Sequence, residues 1–338
     1  MKHAFIDVNR RSYGVRMLCQ ALQISASGYY AAHNRPQSAR SQRQEALTSR
    51  IREIHTSSRE TYGAPRVHAE LRAQGTACSR NLVAKLMSQA QIMPKAIRRF
   101  RVTTDSRNTR GASPNLLKRE FQSDRANACW VSDITYIPTR EGWLYLAAIL
   151  DLYSRAVVGW SMSRSLDCKL AMAALCMAID RRGTGPTILH SDQGTTYSAT
   201  EYRALLAQHG IRQSMSRKGD CWDNAPMESF FHSLKTELVM HCDYKTRDQA
   251  RASLFDYMEV FYNRQRRHST IHYEAPLAFE RSKIAYLGVH RSWVRSVTDK
   301  PPTGIYAREL DSELTSGPAN VLCYQSFIGN WPKVNATH

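Results

Sequence analysis

Between residues 42 and 56 the apolar side chains Leu47, Ile51 and Ile54 recur at i, i+4 and i+7 among Arg, Gln and Glu, the period of an amphipathic helix. In the next stretch, TYGAPRVHAELRAQG, Gly63 turns the chain, Pro65 suits a first helical turn and Gly75 stops a short helix. Ser79 is then placed to cap RNLVAKLMSQAQI, whose Leu82, Val83, Leu86 and Met87 form one apolar face before Pro94. The pattern predicts three short helices with tight turns, the last two in helix-turn-helix proportions.

Beyond residue 125 the periodicity becomes that of strands. ACWVSDITYIP is rich in aromatic and β-branched residues and stops at Pro138, GWLYLAAILDL is a nearly continuous apolar run, and RAVVGWSMS is a further strand. KLAMAALCMAIDRR predicts a helix, TILHSDQG a short strand ending in a turn, SATEYRALLAQHG a helix and IRQSMS a last strand. Three successive strands followed by alternating helices and strands predict an α/β fold, a mixed sheet flanked by helices and preceded by a small all-α domain. Near the end of this region, FDYMEVFYNRQRRHS predicts a helix with Phe255, Met258 and Tyr262 inward and a basic terminus.

Charge sharpens this picture. The 338 residues carry 47 Lys and Arg against 29 Asp and Glu, a net +18, which points to a polyanionic partner, nucleic acid before an anionic membrane. Residues 1–125 hold 23 Lys and Arg against 8 acids, whereas residues 126–338 hold 24 against 21. The excess therefore sits on the N-terminal third. There, the outward face of the last predicted helix carries Arg80, Asn81, Lys85 and Gln89, residue types suited to phosphates and base edges. A plain helical bundle with solvated basic residues is the competing reading, and the surrounding charge favours DNA.

The eight cysteines form no Cys-x-x-Cys pair and lack histidines at zinc spacing, so neither a disulfide framework nor a zinc site is expected. No run reaches 18 apolar residues and the first residues lack a signal-peptide pattern, so the expectation is a cytoplasmic protein with no membrane partner.

The more balanced C-terminal two thirds has room for clustered carboxylates. Asp133 interrupts the first predicted strand, where aspartate is disfavoured and a lone buried carboxylate is costly unless paired or metal-bound. Asp192 lies where a later strand runs out, the place where open α/β sheets gather ligands. Glu228 lies in the first turn of the helix NAPMESFFHSLKTE, off its stripe of Phe230, Phe231, Leu234 and Leu238 and in a row with His232, Lys235 and Val239. Taken singly, Glu228 suits the helix dipole and each aspartate an ordinary turn. Taken together, they are oxygen ligands of the kind divalent cations choose, and two such ions about 3.5–4 Å apart suit phosphodiester displacement. Asp151 and Asp223 are rival carboxylates. The first follows a long apolar run and the second suits a helix N-cap region, so neither is placed in the trio. Arg264, Arg266 and Arg267 read either as capping their own helix end or as contacts to a DNA backbone.

Fifty-eight residues separate Asp133 from Asp192 and 35 separate Asp192 from Glu228, with Lys235 seven positions further on. That order resembles the D,D(35)E signature of retroviral-integrase-like transposases. The words WVSDITYIPT, LDLYSRAVVGW, HSDQGTTY, SRKGDCWDNAPMESFFHSLKTE and YNRQRRHSTIHYEAPLAFE, with SASGYYAAHNRP and YGAPRVHAEL before them, resemble the IS-three-like family of bacterial insertion-sequence transposases. The resemblance runs over roughly residues 15–283.

It implies an RNase H-like catalytic core in which Asp133, Asp192 and Glu228 are the catalytic triad and hold two Mg²⁺ (or Mn²⁺) ions. Lys235 is implied as a DNA contact, with His190 and Asn224 as supporting neighbours. The implied activity is DNA cleavage at element ends followed by strand transfer, by a homo-oligomer on nucleoid DNA, with the first-reading-frame product as partner or fusion. The corresponding division is a basic segment 1–40, a helix-turn-helix-like DNA-binding domain 41–97, a basic linker 98–125, a catalytic core 126–285 and an atypical, poorly ordered tail 286–338. A nuclease that cuts without joining and a non-catalytic DNA-binding regulator are the alternatives.

Overall fold

The computed structural model describes residues 2–34, 36–95, 113–183, 187–217 and 221–283. Most of the expected linker and the tail 286–338 lie outside the described residues. At the N-terminus, α1 (Lys2–Asn9), α2 (Val15–Ala21) and α3 (Ala26–Asn34) gather around Ile6, Leu18, Cys19 and Tyr29. The segment read only as basic thus carries three helices with a small core of their own.

Next, α4 (Ala39–Ser57) buries Leu47, Ile51 and Ile54 as the periodicity predicts. α5 (Ala64–Ala73) has Pro65 in its first turn, and the chain leaves it through Gly75 at φ +77°. α6 (Arg80–Gln89) starts at Ser79, whose hydroxyl accepts the Leu82 N–H at 3.2 Å.

The sheet contains β1 (Cys129–Thr139), β2 (Gly142–Asp151), β3 (Val157–Ser163), β4 (Ile188–Ser191) and β5 (Arg212–Met215), in the order β3-β2-β1-β4-β5. β1, β2 and β3 form an antiparallel meander, and β4 and β5 add in parallel on the other side of β1. This is the RNase H-like mixed sheet that the resemblance implies. Its helices are α7 (Cys168–Arg182), α8 (Thr195–Ser198), α9 (Thr200–Gln208), α10 (Ala225–Glu237) and α11 (Arg247–Phe255). α7 approaches β3 closely because residue 159 is glycine: a Cβ there would lie 2.2 Å from the Ala174 carbonyl oxygen.

Both sheet faces are covered, which explains the unbroken apolar run of β2. On one face Trp130, Ala147, Ile149 and Leu189 pack with Ala174 and Tyr202. On the other, Val131, Leu144 and Leu146 meet Phe230 and Leu234 of α10, in a cluster that continues without a break into Ile51, Val67 and Val83 of α4 to α6. Polar ties reinforce that junction: the Arg59 guanidinium donates to Asp256 at 2.5 Å, and the Tyr62 hydroxyl donates to the Gln265 carbonyl at 3.1 Å.

α11 continues into a π-helical segment, Asp256–Tyr262, in which the Asn263 N–H reaches back five residues to the Met258 carbonyl. The widened turn changes which side chains face inward. Tyr257, Met258, Phe261 and Tyr262 are buried, whereas Phe255, expected inward, is 43% exposed and meets Trp160 edge-on. Cys19, Cys78, Cys129, Cys168 and Cys242 are free thiols, and no described helix is long and apolar enough to cross a membrane.

Candidate active site

The sheet register brings the two aspartates together. β4 runs parallel to β1 with Val131 opposite His190, so Asp133 and Asp192, each two residues further on, leave neighbouring strands at corresponding positions. Strands in a sheet lie about 4.8 Å apart, which makes these side chains neighbours. The Ile134 N–H donates to the Asp133 carboxylate at 2.7 Å. Asp192 accepts the Gly194 N–H at 3.0 Å, and a Cβ at residue 194 would crowd the same oxygen at 2.9 Å. Glycine at 194 is what lets this turn close on the carboxylate.

α10 supplies the third acid. Its start is docked on β1 by Asn224, whose side-chain amide donates to the Ser132 carbonyl at 3.1 Å, while Phe230, Phe231 and Leu234 anchor the helix in the core. Glu228 lies on the exposed side of the first turn. The row expected along this side holds for His232, which is exposed, but ends at Val239, which is buried in a short 3-10 turn after the helix.

Burial and then the Asp192 charge push the Asp133 carboxyl well above its usual range, with the Glu228 charge adding to the shift and the Ile134 N–H and Lys235 opposing it. Burial raises Asp192 as well, against the Gly194 N–H, and partial desolvation raises Glu228. The Lys235 ammonium stands 5.1 Å over the Tyr136 ring, lowered by burial and supported by Asp133. The three carboxylates offer only oxygen donors, and burial, first among the causes, raises each of them above its usual range. Among the described residues no three His, Cys, Asp or Glu side chains close into a ready-made metal cage.

Residues 42–100 match an HTH-like domain, and residues 123–221 and 228–284 match integrase core domains. Over 288 residues, 84% of this chain and 100% of the relative, the sequence is 40% identical to the transposase InsF for insertion sequence IS3A of Escherichia coli (strain K12). The chain belongs to the IS3 family of transposases. It is also 42% identical to the uncharacterized 31 kDa protein of insertion element IS600 of Shigella sonnei, over 263 residues that make up 78% of this chain and 97% of that protein. Among solved structures, the catalytic core domain of the HTLV-2 integrase in complex with magnesium aligns with 46% of this chain and 96% of its own, at 17% identity and a TM-score of 0.36.

In this IS3-family transposase the neighbours of Asp133, Asp192 and Glu228 have structural partners. His190 is buried between the Ser214 and Ser216 hydroxyls, at 2.8 and 3.1 Å, and burial pushes it down to about 4, so it bridges β4 and β5 as a neutral ring. Asn224 keeps its buried Oδ1 without a hydrogen-bond partner. Asp151 is fully buried and accepts the N–H groups of Asn127 and Tyr153, so it fixes a chain corner.

The sequence suits Asp223 to a helix N-cap region, and the structure gives it a larger part. One oxygen accepts from Arg119 Nε and Arg217 Nη2, the other from Asn115 Nδ2, the Arg217 N–H and Arg217 Nε, all at 2.8–3.1 Å. Those donors, the Arg217 side chain first, hold its carboxyl well below the usual range. Asp223 therefore clasps residues 115–119 and Arg217 immediately ahead of the helix that carries Glu228. Its partners on the 115–119 side lie more than 100 positions away in the chain, too far for a local motif to reveal.

The expected DNA contacts divide. Arg80, Asn81, Lys85 and Arg264 are exposed. Arg266 is corrected: it is 2% exposed, its guanidinium donates to both Glu237 oxygens at 2.7 and 2.5 Å, and it also reaches the Ser233 hydroxyl. Arg267 is corrected as well, since it donates to Glu70 at 2.6 Å and to the Tyr273 carbonyl at 2.7 Å. A part-buried Glu237 needs a countercharge, and the widened helix turns Arg266 inward to supply it.

Proposed function

We propose that Asp133, Asp192 and Glu228 are the catalytic triad of this transposase and are the residues that would hold two Mg²⁺ or Mn²⁺ ions, for cleavage at element ends and transfer of the 3′-hydroxyl into target DNA. The observation that carries this reading is the β1–β4 register, which sets two aspartates side by side under a helix that presents a glutamate. The residues fit such ions: every donor is a carboxylate oxygen, and the mutual repulsion of buried acids is relieved by hard cations. When bound, the ions activate the attacking oxygen and stabilise the leaving oxygen of a phosphodiester.

The protein's own groups position the reaction. The strands fix Asp133 and Asp192, the Gly194 turn holds one carboxylate oxygen of Asp192, and Asn224 keeps the start of α10 against β1. Lys235, beside Asp133 and over Tyr136, is the DNA contact at this site and meets an approaching phosphate. The exposed face of α6, with Arg80, Asn81 and Lys85, contacts DNA, and Arg264 adds a backbone contact.

Segments 1–40, 41–97, 98–125, 126–285 and 286–338 are proposed as successive units. The chain acts as a homo-oligomer on DNA in the bacterial cytoplasm, with the first-reading-frame product as fusion or partner. The test is a strand-transfer assay on cognate end DNA with Mg²⁺. Joined product from the wild type, and none from Asp192→Asn or Glu228→Gln, is the expected result. Unchanged joining by either variant overturns the triad, and cleavage without joining by the wild type identifies a nuclease.

A further inference from the structure

Away from the triad, a cleft of about 540 Å³ opens between α5, the start of α6 and the turn at residues 272–273. Arg72, Arg80, Arg267, His68, His272 and Tyr273 are among the residues that line it. None of these six is a triad residue or hydrogen-bonds to one.

The cleft has a built frame. Arg267 donates to Glu70 of α5 at 2.6 Å and to the Tyr273 carbonyl at 2.7 Å, so one guanidinium ties the two walls together. The Tyr273 N–H closes on the His268 carbonyl at 3.0 Å, and the His68 ring bonds the Cys78 carbonyl at 3.1 Å. His272 and Tyr273 sit at φ +56° and +60°, two consecutive residues in a conformation that side chains other than glycine rarely adopt. Backbone held in that way presents particular side chains, and it collects at binding sites.

Charge and shape then define the ligand. Glu70 matches Arg267, whereas no carboxylate pairs with the exposed Arg72 and Arg80 among the described residues. Two uncompensated guanidinium groups at a cleft suit a phosphate. The volume is that of a site for one small ligand and cannot admit a duplex. The lining includes the aromatic rings of Tyr273 and His272, and rings of this kind stack on an unpaired base but not on a paired base inside a duplex.

We propose that this cleft binds one unpaired nucleotide of the DNA strand, its phosphate on Arg72 and Arg80 and its base against Tyr273 and His272. The proposal rests on DNA being the substrate, and it does not depend on the triad. It assigns the segment HSTIHYE the task of presenting these rings.

The test is DNA binding by the full chain without divalent metal, followed by fluorescence anisotropy across a salt series. Two probes are compared, a blunt end duplex and the same duplex with a single-stranded overhang. The double variant R72A/R80A is expected to weaken overhang binding by about tenfold or more and to lower its salt slope by about 1.4, the loss of two single-strand phosphate contacts. Tyr273→Ala is expected to weaken overhang binding by about fivefold and leave the blunt duplex unchanged, as loss of a stacked base does.

If Tyr273→Ala melts early, Tyr273→Leu keeps apolar volume without the ring face and is expected to show the same selective loss. Unchanged overhang binding in R72A/R80A overturns the proposal. So does an equal loss on both probes from Arg72→Ala alone, which would place that arginine on duplex backbone; Arg80 also lies on the α6 face proposed to meet duplex DNA, so its loss is read on the overhang probe only. Asp192→Asn is read separately, by cleavage, so failure of the triad and failure of the cleft appear in different measurements.

Discussion

Replacing Asp223 by asparagine keeps the side chain's size and removes its charge. Each carboxylate oxygen accepts at least two donors, so whichever end becomes NH₂ is driven against N–H groups. Arg119 and Arg217 are 43% and 60% exposed, so solvent screens them, and each lost charge pair is worth about 0.5–1 kcal/mol. A buried donor left facing another donor costs about 1–3 kcal/mol. The sum is about 2–5 kcal/mol, which corresponds to a Tm lower by about 4–20 °C at neutral pH. The Asp223 carboxyl is held below its usual 3.8, so its stabilisation is complete above about pH 4 and is lost as pH falls through the depressed value. Thermal unfolding of both proteins from pH 7 to pH 3 checks this: the gap should be widest at pH 7 and narrow in acid. Because the clasp stands ahead of Glu228, cleavage should fall more than DNA affinity. A Tm within about 2 °C of wild type at pH 7, or a gap that does not narrow between about pH 4 and pH 3, would refute the reasoning.

Asp133→Asn, Asp192→Asn and Glu228→Gln should each lower cleavage at least about a hundredfold while DNA binding persists, and chelation of divalent metal should do the same to the wild type in a gel assay. Arg266→Ala should cost about 3 kcal/mol in urea unfolding, because part-buried Glu237 keeps only the Tyr257 hydroxyl and the more distant Arg66 at 3.8 Å, whereas Arg264→Ala should leave stability intact and lower the salt slope of DNA binding by about 1. Burial pushes the Asp151 carboxyl up to about 6, above its usual 3.8, so the fold favours the protonated form. Its contribution is therefore greatest below about pH 4 and falls by about 3 kcal/mol as pH rises past 6. Urea titrations of wild type against Asp151→Asn should show the difference shrinking over that range.

The parts of the fold set by local signals were legible in the sequence. Periodicity placed α4 to α6, Ser79 and Gly75 marked their ends, and the apolar run of β2 announced a strand covered on both faces. Among the acids at 133, 192 and 228, Asp133 stands out because aspartate is disfavoured inside a strand, and the order of all three resembles a family signature. Interactions over long separations were not legible. Glu237 lies 29 residues from Arg266, and Glu70 lies 197 from Arg267, so two arginines that look like free cations are internal partners. Asp223 was undervalued for the same reason. The inward side of 255–262 differs from the helical-wheel expectation because a wheel assumes a uniform turn, and this segment is π-helical. α1 to α3 are too short for any period to emerge.

The apolar cluster that runs from Ile51 and Val83 to Phe261 has a consequence for how the element's ends are measured. A module on a slack tether would tolerate a variable number of base pairs between the sequence it reads and the bond that is cut. On the proposed reading, in which α6 meets DNA and the carboxylates cut it, both belong to one packed body, so that interval would behave as a ruler of fixed length. An element that gained or lost a few base pairs between the two marks would be bound and yet miscut, and new end spacings would require change in the shared core as well as in the residues that touch DNA.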